Sequence, residues 1–510
     1  MATQRGNDSH VSRRRADVVS LLLDSNVFIA AESHGTHGDV HGSDAAALLR
    51  LAAELRYPVM ISHGTSSDLL QAPVDRRQQR QRQLAKYHLL QPVPVDEQLR
   101  VAAGFPQDPG PNDAADLEVL STLASGAASW LVTNDSRLRA RARRAGLGER
   151  VLSIADALGT LRPLLASPTE LPAATTVPGY RIALNASIFD SLRAQYPQVG
   201  DDPGFDVWWR NKVAGEHRDV IVLGDPAEPD GIAVLKPEDD RPHGLPPSLL
   251  KVCTFKVADV HQGSKRGELL LKAVIDYARQ NRLEHVYLEV RDELADLIGW
   301  LAEFGFQQVP EANTHRGEQV LHKPLIPSTR DEPLAPLDHH VRYGPGAVLV
   351  QAAHVVPIRA HWHNRLLPEA DTQGDLLAGM EACGNAIRKA YLCHSNTTLL
   401  QQGDLLLFRR TQSGPASITA VGIVEDTTRS DSPEEVVSFV GSRTVYSRPE
   451  ITRMCAHKEV LAVRFRLDRV LDPPWPDPQV RSQGLVRGNV QTISRVPEEG
   501  LQWLRQQLVA

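Results

Sequence analysis

TFKVADVHQGSKRGELLLKAVIDYARQ, residues 254–280, reads as the end of a strand, a glycine-containing turn and a long amphipathic helix. A helix start preceded by glycine offers unpaired backbone N–H groups and the positive end of the helix dipole, which suits a pyrophosphate. Upstream, DVIVLG (residues 219–224) and GIAVLK (231–236) read as a hairpin, and downstream HVYLEV (285–290) reads as a further strand. The middle of the chain is therefore expected to be a mixed α/β domain.

Two proline-rich seams bound that region. LRPLLASPTELPAATTVPGY (residues 161–180) and KPLIPSTRDEPLAPLDHHVRYGPG (323–346) read as stretches that hold neither helix nor central strand. The expected organisation is a first domain at 18–160, a linker at 161–180, a second domain at 181–325, a linker at 326–346 and a third domain at 347–510. The chain has 510 residues, 42% of them hydrophobic and 23% charged, which excludes a largely disordered protein. Its net charge of -6 excludes a general polyanion binder, though not a basic patch on one domain. The four cysteines are far apart without a C-x-x-C pair, so they encode neither a zinc site nor a disulfide scaffold, and the compartment reads as reducing. Near the start, SRRRADVVSLLLDSNVFIAA (residues 12–31) copies a signal peptide, but Asp24 interrupts its apolar run. No stretch approaches the ~18 apolar residues that span a bilayer. A cytoplasmic protein without membrane partners is expected.

The first segment alternates strand-like and helix-like runs, as a parallel α/β sheet requires. VVSLLLDSNVFIA (residues 18–30) reads as a buried strand, AAALLRLAAELR as a helix, YPVMIS as a strand, LEVLSTLASGA as a helix and SWLVTND as a strand. Asp24 and Asp135 end strands, whereas Asp68 and Asp116 are expected to open helices. In an open parallel sheet these positions converge on one crevice. Four carboxylates gathered there repel one another unless a hard divalent cation, Mg2+ or Mn2+, neutralises them. Such a metal activates water for attack on a phosphodiester. The same aspartates would also serve as ordinary helix caps.

LLLDSNVFIAA, the Asp68 helix, NDAADLEVL and WLVTND together resemble a PIN domain, a fold of metal-dependent ribonucleases. The resemblance implies Asp24, Asp68, Asp116 and Asp135 as catalytic, metal-binding acids. It makes Asn26 and Thr133 orienting groups and leaves Asp113 as an outer-shell acid. Asp68 stands where the family more often has Glu. The arginine-rich stretches 75–86 and 136–150, with Arg137 and Arg139, are candidate phosphate contacts.

The middle segment, with its turn, HVYLEV and the ending EFGF (residues 303–306), resembles the Gcn5-related N-acetyltransferase (GNAT) fold. The resemblance implies acetyl-CoA held by Val257, Gln262, Gly263, Ser264, Lys265, Arg266 and Gly267. Gln262 and Gly267 match the ends of the family's turn, and Lys265 replaces its central glycine, with Lys265 and Arg266 offering charge in compensation. Leu301 stands where members often carry a tyrosine proton donor. Glu289 is the candidate general base, acting through water; a strand-end acid without a role is the plainer alternative.

In the third segment, VVPIRAHWHNRLLPE, IRKAYLCHSN, QQGDLLLFRR and SITAVGIVED resemble ASCH and PUA-related β-barrels, a superfamily linked to RNA recognition. That resemblance implies a barrel with RNA-binding groups among Arg359, Arg365, Arg388, Lys389, Arg409 and Arg410, and with Trp362 and Tyr391 for stacking. His361 and His363, read on one strand, share a face, yet without a third ligand they read as groove histidines. Ser395 and His394 point to opposite strand faces and make a poor nucleophile–base pair.

The expected fold class is thus multidomain α/β and α+β: a PIN-like parallel domain, a GNAT-like mixed domain and a C-terminal PUA-like β-barrel. The expected function is an RNA-directed, toxin-like or RNA-processing endoribonuclease of a bacterial cytoplasm, coupled to acetyl-CoA binding. Alternatives are an N-acetyltransferase that uses the first domain as a scaffold, and an acetyl-CoA-sensing RNA-binding regulator. An antitoxin-like protein partner and a homo-oligomer fit the first reading.

Overall fold

The computed structural model describes residues 19–508 except 33–41, 72–76, 78–79, 82, 86, 166–171, 199–203, 262–264, 315–316, 329–331, 371–385, 412–414 and 489. The chain forms two compact units. The first comprises Met1–Ala166 together with Arg429–Gly441 and Tyr446–Val460, and the remainder forms the second. Among the described residues no helix is long and apolar enough to cross a membrane.

The first unit is built on five short strands: β1 (Leu21–Leu23), β2 (Val59–Ile61), β3 (His88–Leu89), β4 (Trp130–Val132) and β5 (Val151–Leu152). They lie in the order β3-β2-β1-β4-β5 and every pairing is parallel. β1 is fully buried and pairs on both sides, Leu22 lying between Met60 and Leu131. That placement explains its unbroken Leu-Leu-Leu, since a central parallel strand has no polar face. The long strand expected from VVSLLLDSNVFIA is shorter, because the chain turns at Asp24 into the helix Ser25–Glu32.

Asp68 and Asp116 do not open helices as expected. Ser62 caps the first of these helices, His63–Leu70, by accepting from the Thr65 N–H at 3.0 Å. Pro111 starts the second, Pro111–Ala124, at the position where its fixed φ and missing N–H cost nothing. Both aspartates therefore lie one and a half turns inside. The two helices pack closely at Gly64, whose N–H donates to Glu118 Oε2 at 2.7 Å. The helices Pro433–Val440 and Arg448–His457 also belong to this unit. Arg448 donates to the Leu55 carbonyl at 3.1 Å and covers the Tyr57 ring, whose hydroxyl burial pushes up to about 12.

The second unit holds two sheets. Seven strands, β6 (Ala174–Pro178), β7 (Asp219–Asp225), β8 (Glu228–Glu238), β9 (Leu249–Val257), β10 (His285–Val290), β11 (Gln307–Asn313) and β12 (Gln319–Pro324), form the first. Their order is β11-β12-β10-β9-β8-β7-β6, and only β9 and β10 run parallel. The helix Arg266–Gln280 joins those two strands and packs Leu270, Val274 and Ile275 on Leu250, Val252 and Leu288. Phe189, Trp209 and Val213 pack with Val220, Val222, Ile232 and Val234 in a separate core. The hairpin DVIVLG–GIAVLK is present as β7 and β8. The proline seams are more structured than composition implied: β6 lies in the first as an edge strand, and the second holds the helix Pro336–Tyr343 with proline at its first position.

The last sheet contains β13 (Ala353–Arg359), β14 (Arg388–Cys393), β15 (Leu405–Thr411), β16 (Ser417–Ser430), β17 (Val460–Pro476) and β18 (Ser494–Arg495) in the order β14-β17-β16-β15-β13-β18. Among the described residues β14 and β18 are its two ends and do not pair with each other, so the expected β-barrel is a curled sheet left open between them. His361 and His363 sit in a helix, Ala360–Leu366, not on a strand. Two residues apart on a helix they face different ways, and His363 is fully buried against Thr419 at 2.7 Å.

Buried charge ties this sheet to the preceding one. Glu268, in the first turn of Arg266–Gln280, accepts the Arg388 backbone N–H, and Arg388 Nη1 reaches Glu303 at 2.6 Å. Burial opposes its charge, but Lys265, Arg388 and Arg443 hold Glu268 ionised, with a pKa of about 2.

A Cβ at Gly64 would stand 2.6 Å from Glu118 Oε2 and 2.9 Å from the Ala115 carbonyl. Gly64→Ala is expected to force these helices apart and destabilise the protein by about 1–3 kcal/mol, measured by urea unfolding.

Candidate functional site

β9 and β10 pair over only three positions, His285–Leu249, Val286–Leu250 and Tyr287–Lys251. Against β8, Leu235 pairs Val252 while the preceding Val234 pairs Thr254, so Cys253 is an extra residue on β9. Such a bulge bends its strand and increases its twist. Beyond it, β9 continues to bond with β8 and β10 with β12, and the two strands part. A cleft of about 820 Å³ opens at this fork, with Val252, Phe255, Val257, Leu288, Val290 and Trp300 in its wall.

The helix Arg266–Gln280 starts at the mouth of the cleft. Lys265 precedes it in the left-handed region, φ 66°, without a side-chain cap for the first turn. A Cβ at Gly267 would lie 3.8 Å from the Trp300 ring and 3.9 Å from Val257, so packing would accept a side chain where the sequence leaves a recess. Of the residues expected to hold acetyl-CoA, Val257, Lys265, Arg266 and Gly267 line the cleft, while Gln262, Gly263 and Ser264 lie outside the described residues. Arg266 does not supply the compensating charge expected of it. Its Nε donates to Asp230 at 3.0 Å, and His261 holds the other oxygen of that carboxylate at 2.9 Å. Recess, uncapped helix start and apolar wall suit an extended ligand with an anionic end.

Glu289 faces the fork from β10. Lys251 Nζ lies 2.7 Å from its Oε2 and His243 Nε2 lies 3.0 Å from its Oε1. Burial alone would raise its carboxyl, but Lys251 and His243 outweigh burial and keep it below the usual range. Leu301 is fully buried in the core, so no hydroxyl enters the cleft from its position. The Tyr287 hydroxyl is bonded to Glu238, and burial pushes the Cys253 thiol up. Sequence reasoning missed Lys251 and His243, because the β9–β10 register brings the first to Glu289 and the turn between β8 and β9 brings the second. It also missed Tyr196 and Glu318, which line the cleft and bond at 3.2 Å.

The first unit holds the acidic crevice. Strand order reverses between β1 and β4, the switch point of a parallel sheet, and Asp24 and Asp135 follow those two strands. Asp24 is buried; Thr133 donates to its Oδ2 at 2.7 Å, Asn26 donates to the same oxygen and the Ser25 N–H donates to Oδ1. Burial raises its carboxyl, and Asp135 and Asp68 add repulsion. Asp116 is raised to about 6 by burial and then by Asp24 and Asp135, against Arg141 at 3.1 Å. The four aspartates thus lie within electrostatic reach of one another. Asp135 also caps the helix Ser136–Arg144, as the plainer reading of such residues has it. Asp113 is held by Arg141 at 2.8 Å and by the exposed Arg137 at 3.1 Å. Arg139 is half-buried, and much of the stretch 75–86 lies outside the described residues. Oxygen donors of this type suit a hard divalent cation. As placed, however, no three His, Cys, Asp or Glu side chains among the described residues form a group that could hold a metal ion.

Several of the basic groups expected to face RNA in the third segment point inward, whereas Arg359 is exposed. Lys389 is fully buried and donates to the Leu366 carbonyl at 2.8 Å. Arg409 is buried against Asp477 at 2.5 Å, and Arg365 donates to the Val445 carbonyl while lying over Trp362. Alternation along a strand places residues on a face; it does not say whether that face is covered.

Residues 185–306 match the Acetyltransferase (GNAT) family. No curated protein matches the chain. Solved structures with some likeness include the IAA acetyltransferase from Bacillus cereus, 13% identical with a TM-score of 0.22, covering 30% of this chain and 99% of its own. A GNAT family acetyltransferase from Elizabethkingia anophelis with acetyl-CoA bound is 17% identical with a TM-score of 0.21, covering 30% and 98%. A variant of ZmASCH from Zymomonas mobilis is 12% identical with a TM-score of 0.24, covering 31% and 99%. β7 to β10 and the helix Arg266–Gln280, which frame the fork, thus lie in the stretch, residues 185–306, that matches the GNAT acetyltransferase family.

Proposed function

We propose that the protein is an N-acetyltransferase that takes acetyl-CoA into the fork between β9 and β10 and transfers the acetyl group to an amine. The observation that carries this reading is the parting of the two strands beside an uncapped helix start with a bare Gly267. Beyond the fork, backbone groups on the inner edges of β9 and β10 have no ladder partner, and an extended amide chain can pair with them. The first-turn N–H groups and Lys265 meet the pyrophosphate. Glu289 accepts a proton from the acceptor, and the amine nitrogen attacks the thioester carbon. With Leu301 in place of a hydroxyl donor, the departing thiolate takes its proton from the attacking nitrogen.

A second reading concerns the first unit: the crevice of Asp24, Asp68, Asp116 and Asp135 hydrolyses RNA with Mg2+ or Mn2+. The all-parallel sheet with acids beyond β1 and β4 at its switch point favours it. Arg137, exposed at the rim, is the phosphate contact of choice. The buried Lys389 and Arg409 are not offered for RNA.

Glu289→Gln is expected to lower thiol release from acetyl-CoA about a hundredfold with its binding unchanged, in a steady-state assay with primary amines. Gly267→Ala tests the recess: acetyl-CoA affinity falls at least about tenfold, while the melting temperature holds or rises, since alanine favours the helix. For the crevice, the raised Asp116 carboxyl makes the folded state bind more protons than the unfolded state between about pH 4 and 6. Stability therefore falls as pH rises through that window. Asp116→Asn is expected to flatten this fall and to melt higher at pH 7.5. If the crevice takes a metal, Mn2+ raises the melting temperature of the natural protein but not of the variant, and RNA cleavage is lost with it.

A further inference from the structure

The turn between β8 and β9 is held in conformations that ordinary side chains avoid. Arg241 has φ 48° and ψ 52°, His243 has φ 54° and ψ 23°, and Gly244 follows at φ 72°. Left-handed backbone outside glycine persists where the surroundings impose it, and it gathers at functional sites. Here the result is the delivery of one imidazole. His243 Nε2 comes within 3.0 Å of Glu289 Oε1, and its ring lies edge-on to Tyr287 with centroids 6.0 Å apart.

Every charged or titratable group around that carboxylate can be named. Lys236 and Glu238 on β8 pair with each other, and the Tyr287 hydroxyl also bonds to Glu238. Lys251 on β9 pairs with Glu289, and Arg218 before β7 pairs with Glu216 at 2.7 Å while standing 3.4 Å from Cys253 Sγ. Burial pushes the Cys253 thiol and the Tyr287 hydroxyl up, away from neutrality.

We propose that His243 is a positioning residue for acetyl transfer, fixing the Glu289 carboxylate at the fork in the orientation from which it takes a proton from the acceptor ammonium. This rests on the acetyltransferase reading of the fork. The acceptor class is a primary ammonium. One of its protons passes to Glu289, and the freed nitrogen lone pair attacks the thioester carbon. The C–N bond forms as the C–S bond breaks, and a second nitrogen proton moves to the leaving thiolate. Amide and thiol result, with one proton on Glu289 to be shed to water. The 3.0 Å contact from His243 to Oε1 and the 2.7 Å contact from Lys251 to Oε2 hold the two carboxylate oxygens of Glu289 from different elements.

The test uses the full-length protein, acetyl-CoA, and n-butylamine, spermidine and an alanyl peptide as acceptors, with thiol release followed from pH 5 to 9. His243→Gly suits the left-handed backbone, so this variant is expected to melt no lower than the natural protein and to bind acetyl-CoA equally well. Its kcat should fall at least about tenfold and recover in part with imidazole added to solution. His243→Asn, which also tolerates this conformation, should behave alike but without imidazole rescue. An unchanged rate in His243→Gly would overturn the inference. So would a loss of acetyl-CoA affinity that accounts for the whole fall in rate, because the residue would then be structural. A natural protein that binds acetyl-CoA but acetylates none of the amines also overturns it, since the inference requires a working base. Failure to bind acetyl-CoA at all overturns the acetyltransferase reading instead.

Discussion

A single extra residue, Cys253, governs the second unit. Two parallel strands in one sheet normally stay paired, because each lost hydrogen bond leaves a donor and an acceptor to be satisfied elsewhere. The bulge turns β9 away after Lys251, and each strand keeps its outer neighbour, β8 or β12, so the sheet survives while its middle opens. Everything proposed for the fork follows from this. The apolar wall is the exposed inner margin of the core, the helix start stands at the wider end, and Glu289 faces the point of divergence. The opening comes without loss of the surrounding core, which continues through Leu250, Val286 and Leu288.

Much of this was legible in the sequence, and the failures share a cause. The strand–turn–helix of residues 254–280, the hairpin before it and the strand HVYLEV follow from local periodicity and are present. Local periodicity also gave alternating elements in the first segment, and the sheet there is wholly parallel. It did not give the depth of Asp68 and Asp116 within their helices, because Ser62 and Pro111 make better starts than the aspartates themselves. Nor could it tell that Lys389 and Arg409 lie inside, since alternation along a strand does not record whether a face is covered. The partners of Glu289 come from a neighbouring strand and from a strained turn, neither of which composition or spacing records.

Charge buried within the second unit binds its two sheets by the same logic that keeps the fork open. Glu268 cannot leave its place without costing Arg388 one of its two carboxylate partners, and Glu425, held well below the usual carboxylate range against the pull of burial, pairs with both Arg443 and Arg466. Such networks add little when compared with apolar packing of equal volume, but removing one partner leaves an uncompensated charge. Their effect is geometric: the first turn of the helix that meets the cleft is anchored from behind. Its free N–H groups stay aimed at one spot whatever occupies it.

The chain returns to its first unit late, through the helices Pro433–Val440 and Arg448–His457. Between Ala166 and Val460 lie 293 residues, which a ribosome adds in roughly 15–60 s. The sheet around the fork is complete in sequence by Pro324, ahead of the unit that begins the chain. During synthesis the acidic crevice therefore exists for that interval only as part of an unfinished body, lacking the arginine that covers Tyr57. The first unit closes only after those two helices are made, a delay written into the order of its segments.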